Sequence, residues 1–400
     1  MMKKLFFNLA LVASLLASLT FVSCSNNDDD SSTTKTGIDL LIEQGVLTGK
    51  LDHEVTLNAS VTYKLTGLLV VESGGVLNIP AGTTIKASEG FGTYIMVAQG
   101  GKINVNGTAA KPVVMTSDDQ NTGLQSGYWG GLVINGKAKI SGTSGVVATG
   151  TCEMNTDYKY GGSDDADNSG SITYLIIKYA GARSSADVEH NGLTLDAVGR
   201  GTTIENVFIL ESADDGVECF GGTVSLKNFL VVNQDDDCFD NTQGYRGSWE
   251  NMYGIWETGY TSTESDPRGV ESDGNLDGNT PTDVNQTDFT IKNMTIDLRL
   301  AYNITSQATY MQDVIKIRRG AKVNITNALV KGIGAAQDLV DCTDSKGDAA
   351  AGTVISLTNS LTNAFTGSAS KPGANAAAIT VGGSNTGCAT SLFAWTGYQF

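Results

Sequence analysis

Hydrophobic and polar positions alternate along this chain with a period of two, in short runs broken by Gly, Asn and Asp, which is the pattern of half-buried strands joined by tight turns. One unit recurs. Leu68–Ile85 is followed by the similar Tyr94–Gly107, and the pairs Gly74-Gly75 and Gly100-Gly101 stand 26 residues apart, each opening an alternating run. Trp129–Gly136 is a reduced third copy. Further on, an Asn sits inside each β-run, at Asn206, Asn228, Asn293, Asn327 and Asn359. The spacings of 22, 65, 34 and 32 read as one coil, about three coils, and two single coils enlarged by loops. A repeat of about two dozen residues with Gly and Asn corners predicts an all-β solenoid, a parallel β-helix. Equivalent residues of successive coils then lie about 4.8 Å apart, apolar positions pile into an inner column, and a corner Asn can bond its amide to the next coil. A hairpin sandwich would reverse direction at each tight turn, and a propeller would repeat about every 40 residues. Neither fits.

Only Gly37–Gly45 carries a helical pattern, through Ile38, Leu40 and Leu41, with Gly45 to end it. Residues 37–60 are expected to cap the open N-terminal edge, and residues 61–400 to form the β-helix domain. Ahead of them, residues 1–23 combine Lys3 and Lys4 with a short apolar run, the form of a secretory signal, too short for a membrane span. Ser23 directly before Cys24 resembles the signal of a bacterial lipoprotein. That resemblance implies cleavage at Ser23/Cys24, acylation of Cys24, and a firm lipid anchor, since each buried methylene contributes about 0.8 kcal/mol. Residues 24–36 are polar and acidic and read as a flexible tether. An acidic stretch behind a lipidated Cys resembles the surface-export signal of Bacteroidetes lipoproteins, which implies an outer-membrane protein facing the cell exterior.

The net charge is −17, and becomes −19 once Lys3 and Lys4 leave with the signal. That sign argues against nucleic acid as a partner. Gly162, Gly181, Gly199 and Gly201 match neither nucleotide-binding spacing. Besides Cys24 there are five Cys, too few for a disulfide scaffold. Cys219 and Cys238, read as lying on successive coils, are one expected disulfide, with Cys342 and Cys388 the other and Cys152 left free.

Trp129–Gly136, Tyr160–Asp165, Leu175–Gly181, Asn191–Leu195, Asp214–Gly222, Asp235–Asp240 and the ending Phe393-Ala-Trp395-Thr together resemble an uncharacterised family of Bacteroidetes surface lipoproteins. The resemblance covers roughly residues 60–400. It implies a pectate-lyase-like, right-handed parallel β-helix and a surface location, and it supplies no established activity.

The candidate chemistry is acidic. Asp214, Asp215 and Glu218 align with Asp235, Asp236 and Asp237 about one coil later, and Glu271 and Asp273 are expected one enlarged coil beyond. Carboxylates stacked at such spacing raise one another's pKa or recruit a cation, and a set of hard oxygen ligands suits Ca²⁺. The same residues also read as turn caps facing water, or as a carboxylate pair for glycoside hydrolysis. Asp235-Asp236-Asp237-Cys238 faintly resembles the Asp-Asp-Cys segment of polygalacturonase-type hydrolases, without their Gly-His-Gly element. Candidate catalytic residues are Asp235, Asp236, Asp237 and His190, the last either a general base or a structural turn residue. For a lyase, Lys227, Arg246 and Arg268 are the candidate bases. Tyr245, Trp249, Tyr253 and Trp256 offer flat faces to a sugar or else pack a loop excursion. The expected role is binding of extracellular glycan or of a host or matrix polymer, with a Ca²⁺-dependent lyase or a carboxylate-pair hydrolase as the enzyme alternative.

Overall fold

A computed structural model describes residues 37–400 except 120, 122–125, 143–146, 186–187, 302 and 304. The signal, the tether and Cys24 therefore lie outside the described residues. The fold is a parallel β-helix. Strand Thr203–Leu210 pairs in parallel with Ser225–Val232, and the same face continues through Ser248–Trp256, Asp288–Leu298, Lys322–Gly332, Val354–Leu361 and Ala378–Val381. A second face stacks Leu193–Asp196, Val217–Phe220, Phe239–Thr242, Arg268–Asp273, Tyr310–Arg318 and Ala335–Asp341. The Gly-Gly repeat holds its spacing, since Val76 pairs with Lys102 in the next coil. Stacking begins before residue 61: a helix spans Gly37–Glu43, but Val46–Leu51 already pairs in parallel with Thr62–Val71.

Period-two alternation sends one side chain in and the next out. Ile172, Ile204, Leu226, Trp249, Ile291, Ile325 and Ile355 stand in register on successive coils, all essentially inaccessible to solvent. Burial of each such side chain stabilises the fold by about 1.5–3 kcal/mol. The neighbouring Glu205, Lys227 and Glu250 face outward in a row of alternating charge.

A ladder of asparagines forms the corner. Asn206, Asn228, Asn251, Asn293 and Asn327 all adopt left-handed φ between 55° and 61°, a conformation Asn tolerates better than most residues. From Asn228 onward each amide donates to the side-chain oxygen of the Asn one coil before it, at 2.7–2.9 Å. Asn251, which the repeat pattern had not singled out, splits the 65-residue interval into two coils, not three. The second of these is enlarged by the segments between Trp256 and Arg268 and between Asp273 and Asp288. Asn359 is not in the ladder. A register shift after Ile325 places Leu357 beside Ala328, and Asn359 instead accepts the Leu361 N–H at 3.1 Å. The exposed oxygen of Asn327 is closed by the N–H groups of Thr386 and Gly387 at 2.7 and 3.3 Å. The C-terminal segment then lies over the outer face, seating Phe393 on Leu230, Tyr253 and Ile255.

The aromatic residues read as sugar platforms are core. Ser248–Trp256 is a strand of the stack, bent at Asn251, and Tyr245, Trp249, Tyr253 and Trp256 are all at most 1% exposed. Tyr245 and Trp249 pack with Phe289 inside the solenoid. Trp256 donates to the Gln234 carbonyl. Tyr253, on the opposite side of its strand, is covered by Phe393 and Phe400. Neither expected disulfide forms, and all five described cysteines are buried free thiols. The coil offset here is 22, which sets Cys219 beside Asn241, so Cys238, only 19 residues on, falls three positions short along the strand path. Cys342 lies in the central core and Cys388 under the C-terminal segment, in separate clusters.

Candidate functional site: an acidic cleft on the second face

The second face carries a vertical row of charges. Register places Glu218, Asp240, Glu271, Lys316 and Asp341 on successive coils. In the turns ahead of these strands, Asp214 and Asp215 lie one coil below Asp236 and Asp237. The Asp237 N–H donates to Asp215 Oδ1 at 2.9 Å, and the Asp215 N–H donates to Asn191 Oδ1 at 3.2 Å. Turn capping and stacking are thus both present in one row. The result is a cleft of about 350 Å³ lined by Asp214, Asp215, Glu218, Asp236, Asp237 and Asp240, with Arg268, Arg318 and Arg319 among its other walls.

Two overlapping sets of carboxylates converge there. Ligand oxygens of Asp214, Asp215 and Asp236 lie within 4.8 Å of one another, as do those of Asp215, Glu218 and Asp240. Asp237 is 2% exposed, yet among the described residues its Oδ1 has no hydrogen-bond partner, and Oδ1 of Asp236 and of Asp240 are likewise buried and unpartnered there. Burial is the first cause that raises the pKa of Asp214, Asp215, Glu218, Asp237 and Asp240 well above the carboxylate range, and repulsion within the cluster adds to it. Asp236 is pushed up to about 8 by burial, against the pull of Arg268. Unpartnered buried oxygens in a set of hard donors fit a divalent cation.

The arginines are committed. Arg268 pairs with Asp266 at 2.6 Å and with Glu271, and approaches Asp313 at 3.6 Å. Burial alone would lower its pKa, but Glu271, Asp237 and Asp266 hold it well above the ordinary value. Arg318 pairs with Glu271 and with Asp273 at 2.7 Å. Of the other two base candidates, Lys227 is on the outer face near Glu250, and Arg246 donates to the Val284 and Gln286 carbonyls.

Asp235 points away from the cleft. Its carboxylate accepts from Arg183 at 3.0 Å, from the Thr263 N–H at 2.7 Å and from Tyr260 at 3.3 Å, so it anchors the excursion after Trp256. His190 is fully buried against Phe91 and Tyr94, with Nε2 3.0 Å from the Phe91 carbonyl oxygen. Burial lowers its pKa to about 4. It is a neutral packing residue and touches no cleft group named above.

The cleft's further members, Asp240, Arg318 and Arg319, were missed in the sequence. Asp240 was reachable, because Glu218 to Asp240 is the same 22-residue step as Asn206 to Asn228. Arg318 and Arg319 were not, since a loop makes the step from Glu271 to Lys316 one of 45 residues. A family model described as pectate-lyase-like beta helix domain matches residues 49–397. No curated protein and no solved structure matches the chain.

Proposed function

Starting from a chain that belongs to the pectate-lyase-like β-helix domain family, we propose that this protein binds extracellular glycan or a related surface polymer at the acidic cleft, with a Ca²⁺-like cation held by Asp214, Asp215, Asp236, Glu218 and Asp240. We place it at the outer membrane of a Bacteroidetes-type cell, anchored by lipid on Cys24 and facing outward. The observation that carries the binding reading is the pair of buried carboxylate oxygens of Asp236 and Asp240 with no hydrogen-bond partner among the described residues. A cation would satisfy them and leave outward coordination positions for hydroxyl or carboxylate oxygens of a polymer. Binding is favoured over lyase chemistry because Arg268, the candidate base that reaches the cleft, is locked by Asp266 and Glu271 and held strongly protonated. Fold membership alone does not select an activity.

The test is a glycan array run in millimolar Ca²⁺ and again in chelator, followed by product analysis of every bound polymer. Ca²⁺-dependent binding without turnover, lost in Asp236→Asn, is the expected result. New reducing ends or unsaturated products that vanish in Asp236→Asn would replace binding with catalysis. Labelling with a palmitate analogue that survives Cys24→Ala would remove the anchor, and resistance to protease on intact cells would remove surface exposure.

A further inference from the structure

The cleft carboxylates sort into two groups. Ligand oxygens of Asp214, Asp215 and Asp236 lie within 4.8 Å of one another, and so do those of Asp215, Glu218 and Asp240, but among the described residues no single set of that size takes in all five. Oxygens on one Ca²⁺ stand about 2.3–2.6 Å from the ion, so any two of them are at most about 5 Å apart. Each triad therefore fits one ion, and the five together fit two. Asp215 belongs to both triads. Its Oδ1 accepts the Asp237 N–H, which leaves the other oxygen, and a lone pair on the first, for ligation.

The protein does not neutralise these groups itself. Among the described residues none of the five carboxylates forms an ion pair, while the neighbouring arginines are engaged elsewhere: Arg183 by Asp235 and Glu264, Arg268 by Asp266 and Glu271, Arg318 by Glu271 and Asp273. Each triad contains a buried oxygen without a hydrogen-bond partner among those residues, Oδ1 of Asp236 in one and Oδ1 of Asp240 in the other. Asp237, 2% exposed and in the same wall, adds a third such oxygen. One divalent cation would leave three of the five negative charges unbalanced, and two would leave one. Resting on the cation of the reading above, we propose that the cleft holds two divalent cations about 3.5–4 Å apart, bridged by Asp215, one completed by Asp214 and Asp236 and the other by Glu218 and Asp240. Protons are the competing occupants, since burial raises the pKa of Asp215, Glu218 and Asp240. A proton gives one carboxyl a donor, whereas a cation engages three oxygens at once.

The experiment counts the ions and measures whether they are close. Calorimetric titration of the intact, chelator-stripped protein with Ca²⁺ should give two ions per chain. Asp214→Ala should remove one ion and Glu218→Gln the other, while Asp215→Asn should weaken both by at least about tenfold, the loss that even an outer-shell partner typically causes. Native melts in chelator check the fold of each variant. Loading the wild type with Mn²⁺ needs no variant at all. Electron paramagnetic resonance should then show the coupled spectrum of a close pair, with a hyperfine spacing about half that of isolated Mn²⁺, and the isolated spectrum should return in Asp214→Ala and in Glu218→Gln. One ion per chain overturns the pair and leaves the single-cation reading intact. No ion overturns both and gives the cleft to protons. Two ions with uncoupled spectra, or two ions held at wild-type affinity by Asp215→Asn, overturn the bridge.

Discussion

The backbone N–H of Asp237 donates to Oδ1 of Asp215 one coil away, at 2.9 Å, so one carboxylate both fixes the stacking of two coils and contributes oxygen to the cleft.

The two roles separate by substitution. Asn191 performs the stacking role for Asp215 with an amide oxygen, which shows that charge is not needed for it. Asp215→Asn should therefore melt near the wild type in chelator, or slightly above it as repulsion with Asp214 and Asp237 is relieved. It should lose most of the Ca²⁺-dependent rise in melting temperature, which for the wild type is worth about 2.7 kcal/mol at one hundred times Kd. Asp215→Ala should lose a further 1–3 kcal/mol or so, by leaving the buried Asp237 N–H unpaired. Thermal melts of the three proteins with and without Ca²⁺ check this, and a wild-type melt indifferent to Ca²⁺ would remove the cation.

The asparagine ladder makes its own forecast. Asn251 donates to Asn228 and accepts from Asn293, from a backbone at φ 61°. Asn251→Ala should cost about 2–4 kcal/mol, combining lost hydrogen bonds with left-handed strain. Asn251→Gly keeps the conformation and loses only the bonds, so it should cost less. Denaturant unfolding of both variants orders them, and equal costs would show that strain contributes nothing at the corner.

How far the sequence disclosed this molecule follows from what stacking preserves. Period-two alternation and recurring Gly and Asn corners repeat in every coil, so the β-helix and most of the ladder were legible. Loops do not repeat. The excursions between Trp256 and Asp288 disguised two coils as three, hid Asn251, and carried Arg318 and Arg319 out of sight of Asp273, to which both bind. A motif also states proximity in the chain without stating direction. Asp235, Asp236 and Asp237 read as one acidic run, yet the turn sends Asp235 to Arg183 and the other two into the cleft. Trp249 and Trp256 looked like platforms when read on a loop excursion, and on a strand the same residues point inward.

His190 should imprint a specific pH dependence. Its pKa is 6.5 when unperturbed and about 4 in the folded chain, lowered by burial. Between those values the unfolded chain takes up a proton that the folded chain refuses. Its contribution to stability is therefore fully present above about pH 6.5 and falls away towards pH 4, by up to about 3 kcal/mol. The cleft carboxylates act in the opposite sense, since their raised folded pKa values add stability as pH falls through the same window. The contribution of His190 is therefore read as a difference, from denaturant unfolding of wild type and His190→Gln at pH 7.5, 6 and 4.5. The gap between them should change with pH in the direction given, and a constant gap would mean that the imidazole titrates normally.

Arg268 joins the ion pairs to the cleft, and its removal should expose how the two depend on each other. Its guanidinium is 4% exposed and serves Asp266, Glu271 and Asp313 together. Arg268→Gln leaves Glu271 and Asp313 buried with one positive partner fewer, although Arg318 still reaches Glu271 and Lys316 still approaches Asp313. Truncating one side of a buried pair typically costs about 3–5 kcal/mol, and the remaining partners should hold the loss to the lower end of that range. The substitution also removes the positive charge that lowers the pKa of Asp236, making the cleft more negative. A divalent cation should then matter more to the variant than to the wild type. The expected result is a large fall in melting temperature in chelator and a smaller fall in millimolar Ca²⁺. If Ca²⁺ narrows the gap between Arg268→Gln and wild type, the cleft and the ion pairs act as one electrostatic unit. A gap that stays the same with and without Ca²⁺ would show that they are independent.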